Sequence, residues 1–167
     1  NMGILFGSHN PYHFFAEASM VPSLVIPIEG VSQMVEEDGN KIASNGSDAK
    51  GLYLTSRQKI ASHTSSVEAL AIGFEPAVFL RVLKSVSGNP DYVLPNRSFE
   101  IDFKHGKQKF LLERFLFSLN AVGALGAFNE VTQDMIMRHC AYLILEAQGT
   151  NLSTRVIAHK SNVVDHV

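Results

Sequence analysis

The side chains best able to bind a metal in this 167-residue chain are its seven histidines. Metal-binding β-barrels often use a His-x-His pair, because alternate residues of a strand lie on one face. The sequence contains no such pair. His9, His13 and Glu17 are spaced by four residues, but Pro11 lies between them and disfavours a continuous helix. The sequence therefore predicts no metal site and no cofactor.

The sequence also contains no motif for nucleophilic catalysis. The only cysteine, Cys140, lies on the apolar face of a predicted helix, where a thiol is usually a packing group. There is no Gly-x-Ser-x-Gly elbow, and the glycines of residues 123–126 lack the Lys-Ser/Thr of a phosphate-binding loop. These observations predict that the chain is not an enzyme.

Charge and composition limit the partners. The net charge is −2, and the densest basic stretch, residues 104–109, is too short for the basic stripe that nucleic-acid binding requires. A single cysteine rules out an intramolecular disulfide and favours a cytoplasmic protein. No apolar run approaches the ~20 residues that span a bilayer, and no signal peptide is evident. We predict no membrane partner.

Residues 66–74 predict a strand with two unlike faces. Leu70, Ile72 and Phe74 alternate with Ala69, Ala71 and Gly73, so one face is bulky and the other is small. A barrel wall that packs on one side and lines a cavity on the other has this pattern. A plain sandwich core could also produce it.

The small face indicates where a ligand could bind. An N-terminal arm with aromatic residues from Tyr12 to Phe15 could close the cavity, and three other polar side chains could orient a ligand. Alternatively, the aromatics pack in the core and the polar residues lie on the surface. The candidate ligand-binding residues are Tyr12, His13, Tyr53, Arg57, His63 and Ala71.

The elements that would position these residues are strands in the first half and helices in the second. Residues 23–29 predict a strand in which Pro27 favours an edge or a bulge, and residues 31–44 predict a hairpin with a type I′ turn at Asp38-Gly39. Strands follow at residues 51–56, 92–94 and 98–103. A helix begins at Pro76 and ends at Gly88. Without βαβ alternation, this order favours an antiparallel β unit that carries helices at one end.

Two amphipathic helices follow residue 106. Gly123 and Gly126 are expected to end the first helix, and Asn129 to cap the second. Apolar residues from Phe110 to Phe117 surround most of the first helix, which indicates a second packing partner. We predict a homodimer, with the candidate interface residues Leu112, Phe115, Leu116, Phe117, Leu119, Ile136 and Leu143.

This order of segments resembles the N-terminal ligand-binding and dimerisation domain of AraC/XylS-type transcription regulators. The segments that carry the resemblance are LVIPIEG (24–30), the Asp38-Gly39 hairpin, GLYLT (51–55), VEALAIGF (67–74) and EPAVFL (75–80). The resemblance implies a mainly β fold, in which a cupin-like antiparallel β-barrel (double-stranded β-helix) precedes an antiparallel helix pair. It places the sensor barrel at residues 1–106, with a short helix near 76–87. Dimerisation helices would then occupy residues 107–148, and a linker residues 149–167.

The resemblance also implies a function. A small-molecule effector in the barrel would control an attached helix-turn-helix domain, so that DNA is bound only through a C-terminal domain absent from this chain. Two alternatives remain open from the residues alone. One is a small cupin enzyme, an isomerase or dioxygenase, and the other is a dimerisation module with a filled barrel.

Overall fold

The structure is a computed structural model of the chain. It describes residues 2–9, 12–16, 21–29, 31–35, 41–45, 48–55, 60–64, 67–125 and 129–149. Within these ranges, side chains are described at residues 2, 21–29, 48–55, 68–123 and 129–149. None of the helices in the described ranges combines the length and apolarity needed to cross a membrane.

In the described ranges, nine strands form one sheet in which the paired strands are antiparallel. The strands are β1 (Met2–His9), β2 (Tyr12–Ala16), β3 (Ser23–Glu29), β4 (Val31–Val35), β5 (Lys41–Asn45), β6 (Lys50–Leu54), β7 (Ile60–Thr64), β8 (Val67–Phe74) and β9 (Phe99–Asp102). Their order is β1-β8-β3-β6-β5-β4-β7-β2, and β9 pairs with β6 beside this path. The predicted antiparallel β unit is therefore confirmed.

Strand β3 contains a bulge and does not lie at an edge of the sheet. It lies between β6 and β8, so it is a central strand. Its pairing with β8 shifts register between Pro27 and Glu29, whereas its pairing with β6 covers Ser23 to Val25. Pro27 therefore lies beyond the part of the strand that pairs on both sides. Proline is tolerated at such a position because it has no N–H to contribute to a ladder.

The predicted hairpin is formed by β4 and β5. Val35 pairs with Lys41, and Met34 pairs with Ile42. A two-residue turn at Asp38-Gly39 would instead place Val35 opposite Ile42, so the register differs by one residue from that of the predicted turn. Residues 36–40 lie outside the described part of the chain.

The part of the chain that the structure describes contains three helices, α1 (Pro76–Ser87), α2 (Gly106–Leu125) and α3 (Glu130–Ala147). The Glu75 carboxylate caps α1 by accepting hydrogen bonds from the Ala77 and Val78 amides, and Gly88 ends that helix with φ 64°. Asn129 caps α3 in a capping box with Thr132. These boundaries confirm the predicted caps.

Two predictions about this half of the chain were wrong. Gly123 lies inside α2, whose described part continues to Leu125. A Cβ at Gly123 would have open space around it, and its φ is not left-handed, so the backbone there is ordinary helix. Residues 92–94 do not form a strand; β9 begins only at Phe99.

The helices pack against one face of the sheet. Leu70, Ile72 and Phe74 of β8 belong to the same buried cluster as Phe79 of α1 and Ile144 of α3. The Phe74 and Phe79 rings are stacked with centroids 4.0 Å apart. The bulky face of β8 is therefore the face that supports the helices.

Helices α2 and α3 are antiparallel. The Gln108 side-chain amide at the start of α2 donates to the Leu143 carbonyl near the end of α3 at 2.9 Å. Further along, the Phe115 and His139 rings lie 6.2 Å apart. Residues later in α2 therefore contact residues earlier in α3, which confirms the predicted antiparallel helix pair.

Candidate functional site

The small face of β8 lies opposite the helices. Ala69, Ala71 and Gly73 are partly exposed, whereas the bulky residues between them are buried against the helices. In the ladder, Ala71 lies opposite Val25 on β3 and Leu5 on β1. Paired residues of neighbouring strands occupy the same face. The small face therefore extends over three strands.

Strand β6 extends this face and is buried on both sides. Leu52 pairs with Val25, so it belongs to the small face, yet it is 0% exposed. Leu54, two residues on, is also buried. The helices cover the other face, so a second part of the chain must cover Leu52. The small face is therefore partly enclosed.

Tyr53 lies on the opposite face from Ala71. It pairs with Leu24, which also pairs with Ile72 of the bulky face. Its ring is 0% exposed and stacks on Phe99, with centroids 5.1 Å apart. The structure therefore does not bring Tyr53 and Ala71 together. Burial and the neighbouring Tyr92 phenol raise the pKa of Tyr53 far above its ordinary value.

The backbone register brings the two candidate histidines together. His13 on β2 lies directly opposite His63 on β7, and His63 lies opposite Gln33 on β4. The row continues to β5, where Gln33 pairs with Ala43, and then to β6, where Asn45 pairs with Lys50. Ala43 and Asn45 are alternate residues of β5, and Lys50 and Leu52 are alternate residues of β6. The row therefore lies on the same face of the sheet as Leu52. Three ligand candidates, His13, His63 and Ala71, thus share one face.

The remaining candidates do not join this row. Tyr12 pairs with Thr64, one residue out of phase with His13, and so belongs to the other face of the sheet. Arg57 lies outside the described residues.

Helix α2 presents an exposed apolar face. Phe110 is 57% exposed, Phe117 is 79% exposed and Leu116 is 36% exposed. Phe110 and Phe117 are seven residues apart, hence about two turns. The Arg114 guanidinium lies over the Phe110 ring, 5.5 Å from its centroid. Phe110 was not among the predicted interface residues, although it lies seven residues before Phe117 on the same side of the helix.

Several predicted interface residues belong to the core instead. Phe115, Ile136 and Leu143 are 0% exposed, and all three pack in the cluster that joins the helices to the sheet. Leu112 and Leu119 are partly buried against the same cluster. A fully buried side chain offers no surface to a partner. Among the predicted interface residues, Leu116 and Phe117 are exposed.

A polar groove of about 400 Å³ lies where α2 begins and α3 ends. It is lined by Glu100, Asp102, His105, Lys107, Gln108, Glu146 and Ala147. The Lys107 ammonium is 3.8 Å from a Glu146 carboxylate oxygen. The Asp102 carboxylate accepts a hydrogen bond from the Lys104 amide. The Lys107–Glu146 pair thus joins the start of α2 to the end of α3. Glu100 pairs with Leu52 and Asp102 with Lys50, so these two carboxylates lie on the same face of the sheet as Leu52.

The absence of a metal site stays a prediction. Among the side chains that the structure describes, no three or more His, Cys, Asp or Glu groups are placed to hold an ion. The candidates His13 and His63 lie on strands whose side chains are not described.

The sequence matches no protein-family model and no curated protein. The structure is similar to solved structures of ToxT from Vibrio cholerae, an AraC-family regulator. One is ToxT bound to (E)-4-(8-methylnaphthalen-1-yl)but-3-enoic acid, with a TM-score of 0.58 and 10% identity over 90% of this chain. Another ToxT structure gives a TM-score of 0.56 and 11% identity over 89% of this chain.

At this identity the likeness shows the fold alone. It confirms the fold that the resemblance to AraC/XylS-type regulators implies, to the level of an antiparallel β unit with attached helices. The chain spans 54 to 58% of the length of these two ToxT chains.

Proposed function

We propose that this chain is the effector-sensing and dimerisation domain of an AraC-type transcription regulator. The observation that carries the proposal is the fold likeness, over 90% of the chain, to a ToxT structure with a small molecule bound.

The sheet is proposed to curl into a cupin-like barrel with the small face inside. The burial of Leu52 and Leu54, on the face that the helices do not cover, supports a wall that is enclosed on both sides. In an open sheet, the face that the helices cover would be buried and the face with Leu52 would be exposed to water. The interior would then be lined by Ala71 and Val25, with His13 and His63 further along the same face.

This interior is the proposed effector site. Small side chains at Ala69, Ala71 and Gly73 leave room that bulkier residues would fill, and pockets of this kind are mostly apolar with a few polar groups. An effector would favour one arrangement of the strands and helices over another, which is how a bound small molecule shifts a conformational equilibrium.

Ligand binding tests the effector site directly. We expect (E)-4-(8-methylnaphthalen-1-yl)but-3-enoic acid, the acid bound in a ToxT structure, to raise the melting temperature of this chain. An Ala71→Phe variant should fold but lose at least about tenfold in affinity, because the new ring occupies the cavity. Calorimetric titration of both proteins measures the difference.

The matched control is Ala77→Phe, the same change at an exposed position of α1. It should bind the acid as the unmodified chain does. Failure of the unmodified chain to bind, or equal binding by the Ala71→Phe variant, would contradict the proposed site.

The exposed face of α2 is proposed to join two copies of the chain. Phe110 and Phe117 expose most of their apolar side chains to water, which is unfavourable on a helix that has no partner. A large exposed apolar patch marks an interaction site. The face also carries Glu113 beside Lys109 and Arg114. In a two-fold arrangement, Glu113 of one copy can meet a cation of the other, so the face complements itself.

The remaining part of the proposal concerns the whole regulator. Residues 149–167 would link this domain to a helix-turn-helix domain that binds DNA in the cytoplasm, as the resemblance implies. The chain's span of little more than half of the ToxT chains supports this arrangement. We propose a regulatory role for this domain and not a catalytic one.

A further inference from the structure

His13 and His63 form a cross-strand pair on the small face. They lie directly opposite each other on β2 and β7, and Gln33 follows on β4 in the same row. Residues directly opposite in an antiparallel ladder have Cβ atoms about 4.5–5.5 Å apart. Two imidazoles and one amide therefore share a single row of the proposed interior.

Two more basic residues belong to the same face. His9 lies on the same side of β1 as Leu5, which pairs with Ala71 of the small face. Lys41 alternates along β5 with Ala43, which belongs to the row of the histidine pair. The basic residues of this face thus lie on β1, β2, β5 and β7, as well as at Lys50 on β6.

The carboxylates of this face lie on β9, which pairs with β6 and not with the strands of the histidines. The Glu100 carboxylate is 3.5 Å from the Lys50 ammonium. The Asp102 carboxylate lies on the residue opposite Lys50 and accepts a hydrogen bond from the Lys104 amide. Both carboxylates therefore have partners at the β6–β9 edge.

No carboxylate of the described strands lies on the small face beside the histidine pair. Strands β1, β2, β4, β5 and β7 contain no Asp or Glu. Glu29 and Glu68 lie opposite each other, and Glu68 alternates with Leu70 of the bulky face, so both belong to the helix side of the sheet. A charge in an enclosed place is costly unless it is paired. Protonated histidines on this face would therefore require an anion from outside these strands.

We propose that the His13–His63 pair is a subsite for the carboxylate of an otherwise apolar effector. A carboxylate has two acceptor oxygens and a protonated imidazole has N–H donors, so one carboxylate can accept from both rings. Like charges directly opposite in a ladder destabilise it, and a bound anion offsets that repulsion. The apolar body of the molecule would extend towards the small side chains of β8. This assignment rests on the proposed effector site and names the class of ligand that it takes.

The subsite makes the affinity for an acid depend on pH. Imidazoles ordinarily titrate at ~6.5, so the pair gains protons between pH 8 and pH 6, a range in which a carboxylic acid stays ionised and a lysine stays charged. A bound carboxylate favours the protonated imidazoles, so binding takes up protons and strengthens as the pH falls. We expect the affinity for an acid to rise by about tenfold from pH 8 to pH 6.

Calorimetric titration of the intact chain with (E)-4-(8-methylnaphthalen-1-yl)but-3-enoic acid and with its primary amide tests the subsite. The amide has the same apolar body without the charge. At pH 6 the acid should bind at least about tenfold more tightly than the amide, and the acid alone should lose affinity at pH 8. A His13→Gln, His63→Gln variant should bind the acid as weakly as the amide at both pH values. Its unchanged affinity for the amide would show that the cavity is intact.

The matched control is His105→Gln, the same change at an exposed histidine before α2. It should bind both compounds as the unmodified chain does. Equal affinities of the unmodified chain for acid and amide would overturn the carboxylate subsite and leave the cavity in place, and so would a pH dependence that persists in the His13→Gln, His63→Gln variant. Binding of neither compound would contradict the proposed effector site, and with it this assignment.

Discussion

At the scale of single residues, burial decides which groups can react. Cys140 is 0% exposed and packs in the core cluster that joins the helices to the sheet. Removal from water penalises the thiolate, so burial raises the pKa of Cys140 far above its ordinary value. The thiolate is the reactive form of cysteine. The helical spacing of apolar residues around Cys140 had already predicted this role.

Cys140 should therefore be inert in the folded protein. We expect no measurable labelling by a thiol-specific reagent at pH 8, and full labelling of one thiol per chain once the protein is unfolded in guanidinium chloride. Absorbance of the released chromophore measures both rates. Rapid stoichiometric labelling of the folded protein would contradict the assignment of Cys140 to the core.

The side on which Tyr53 lies could not be predicted from sequence. Its neighbours Leu52 and Leu54 are as apolar as a core requires, and β6 is buried on both faces. A strand of this kind shows no alternation of polar and apolar residues, so its pattern does not reveal which face meets the helices. Tyr53 was therefore assigned to the ligand cavity, whereas pairing with Leu24 places it against the helices.

At the scale of elements, two glycines have opposite surroundings, since one is crowded and the other is open. Gly51 on β6 lies so close to β3 and to Phe103 that a Cβ would be 2.8 Å from the Val25 carbonyl oxygen and 2.4 Å from a Phe103 ring carbon. Gly123 in α2 has no atom within 4 Å of the same position. The sequence distinguishes neither, because the difference arises from residues distant along the chain.

Gly51→Ala and Gly123→Ala form a matched pair. We expect Gly51→Ala to lower the free energy of unfolding by about 1–3 kcal/mol, because the backbone of β3 must move. Gly123→Ala should raise it by about 1 kcal/mol, since alanine favours the helix. Urea denaturation followed by circular dichroism measures both. A loss of stability in Gly123→Ala would show that α2 does not continue through this residue.

Helix ends were predictable because the signals are local. Glu75, Pro76 and Gly88 bound α1, and Asn129 begins α3, each through contacts within a few residues. Gly123 was misread because a glycine inside a helix costs only about 1 kcal/mol, which tertiary packing of α2 offsets.

At the scale of the whole molecule, the order of the strands was beyond sequence reasoning. Strand β8 pairs with β1 and β3, and β7 pairs with β2, across long separations along the chain. Residues 2–9 form β1 beside the proposed effector site, a strand that the sequence pattern did not predict. Alternation within a strand indicates its faces, but not its neighbours.

The packing partners of individual residues in the helix pair were also not predictable from sequence. The apolar character of residues 110–117 predicted more than one packing partner, but not which residues pack in the core. Phe115 serves the core, whereas Phe110 and Phe117 face away from it. The proposal that two copies meet through α2 depends on this division.

Sedimentation equilibrium of the intact chain tests that central claim most directly. The unmodified chain should sediment with twice its 18.3 kDa mass. A Leu116→Glu, Phe117→Glu variant should be a folded monomer, since both side chains are exposed and leave the core unchanged. Val93→Glu, at a position 73% exposed outside the helices, is the control and should remain dimeric. A monomeric unmodified chain at high concentration, or a dimeric Leu116→Glu, Phe117→Glu variant, would contradict the account.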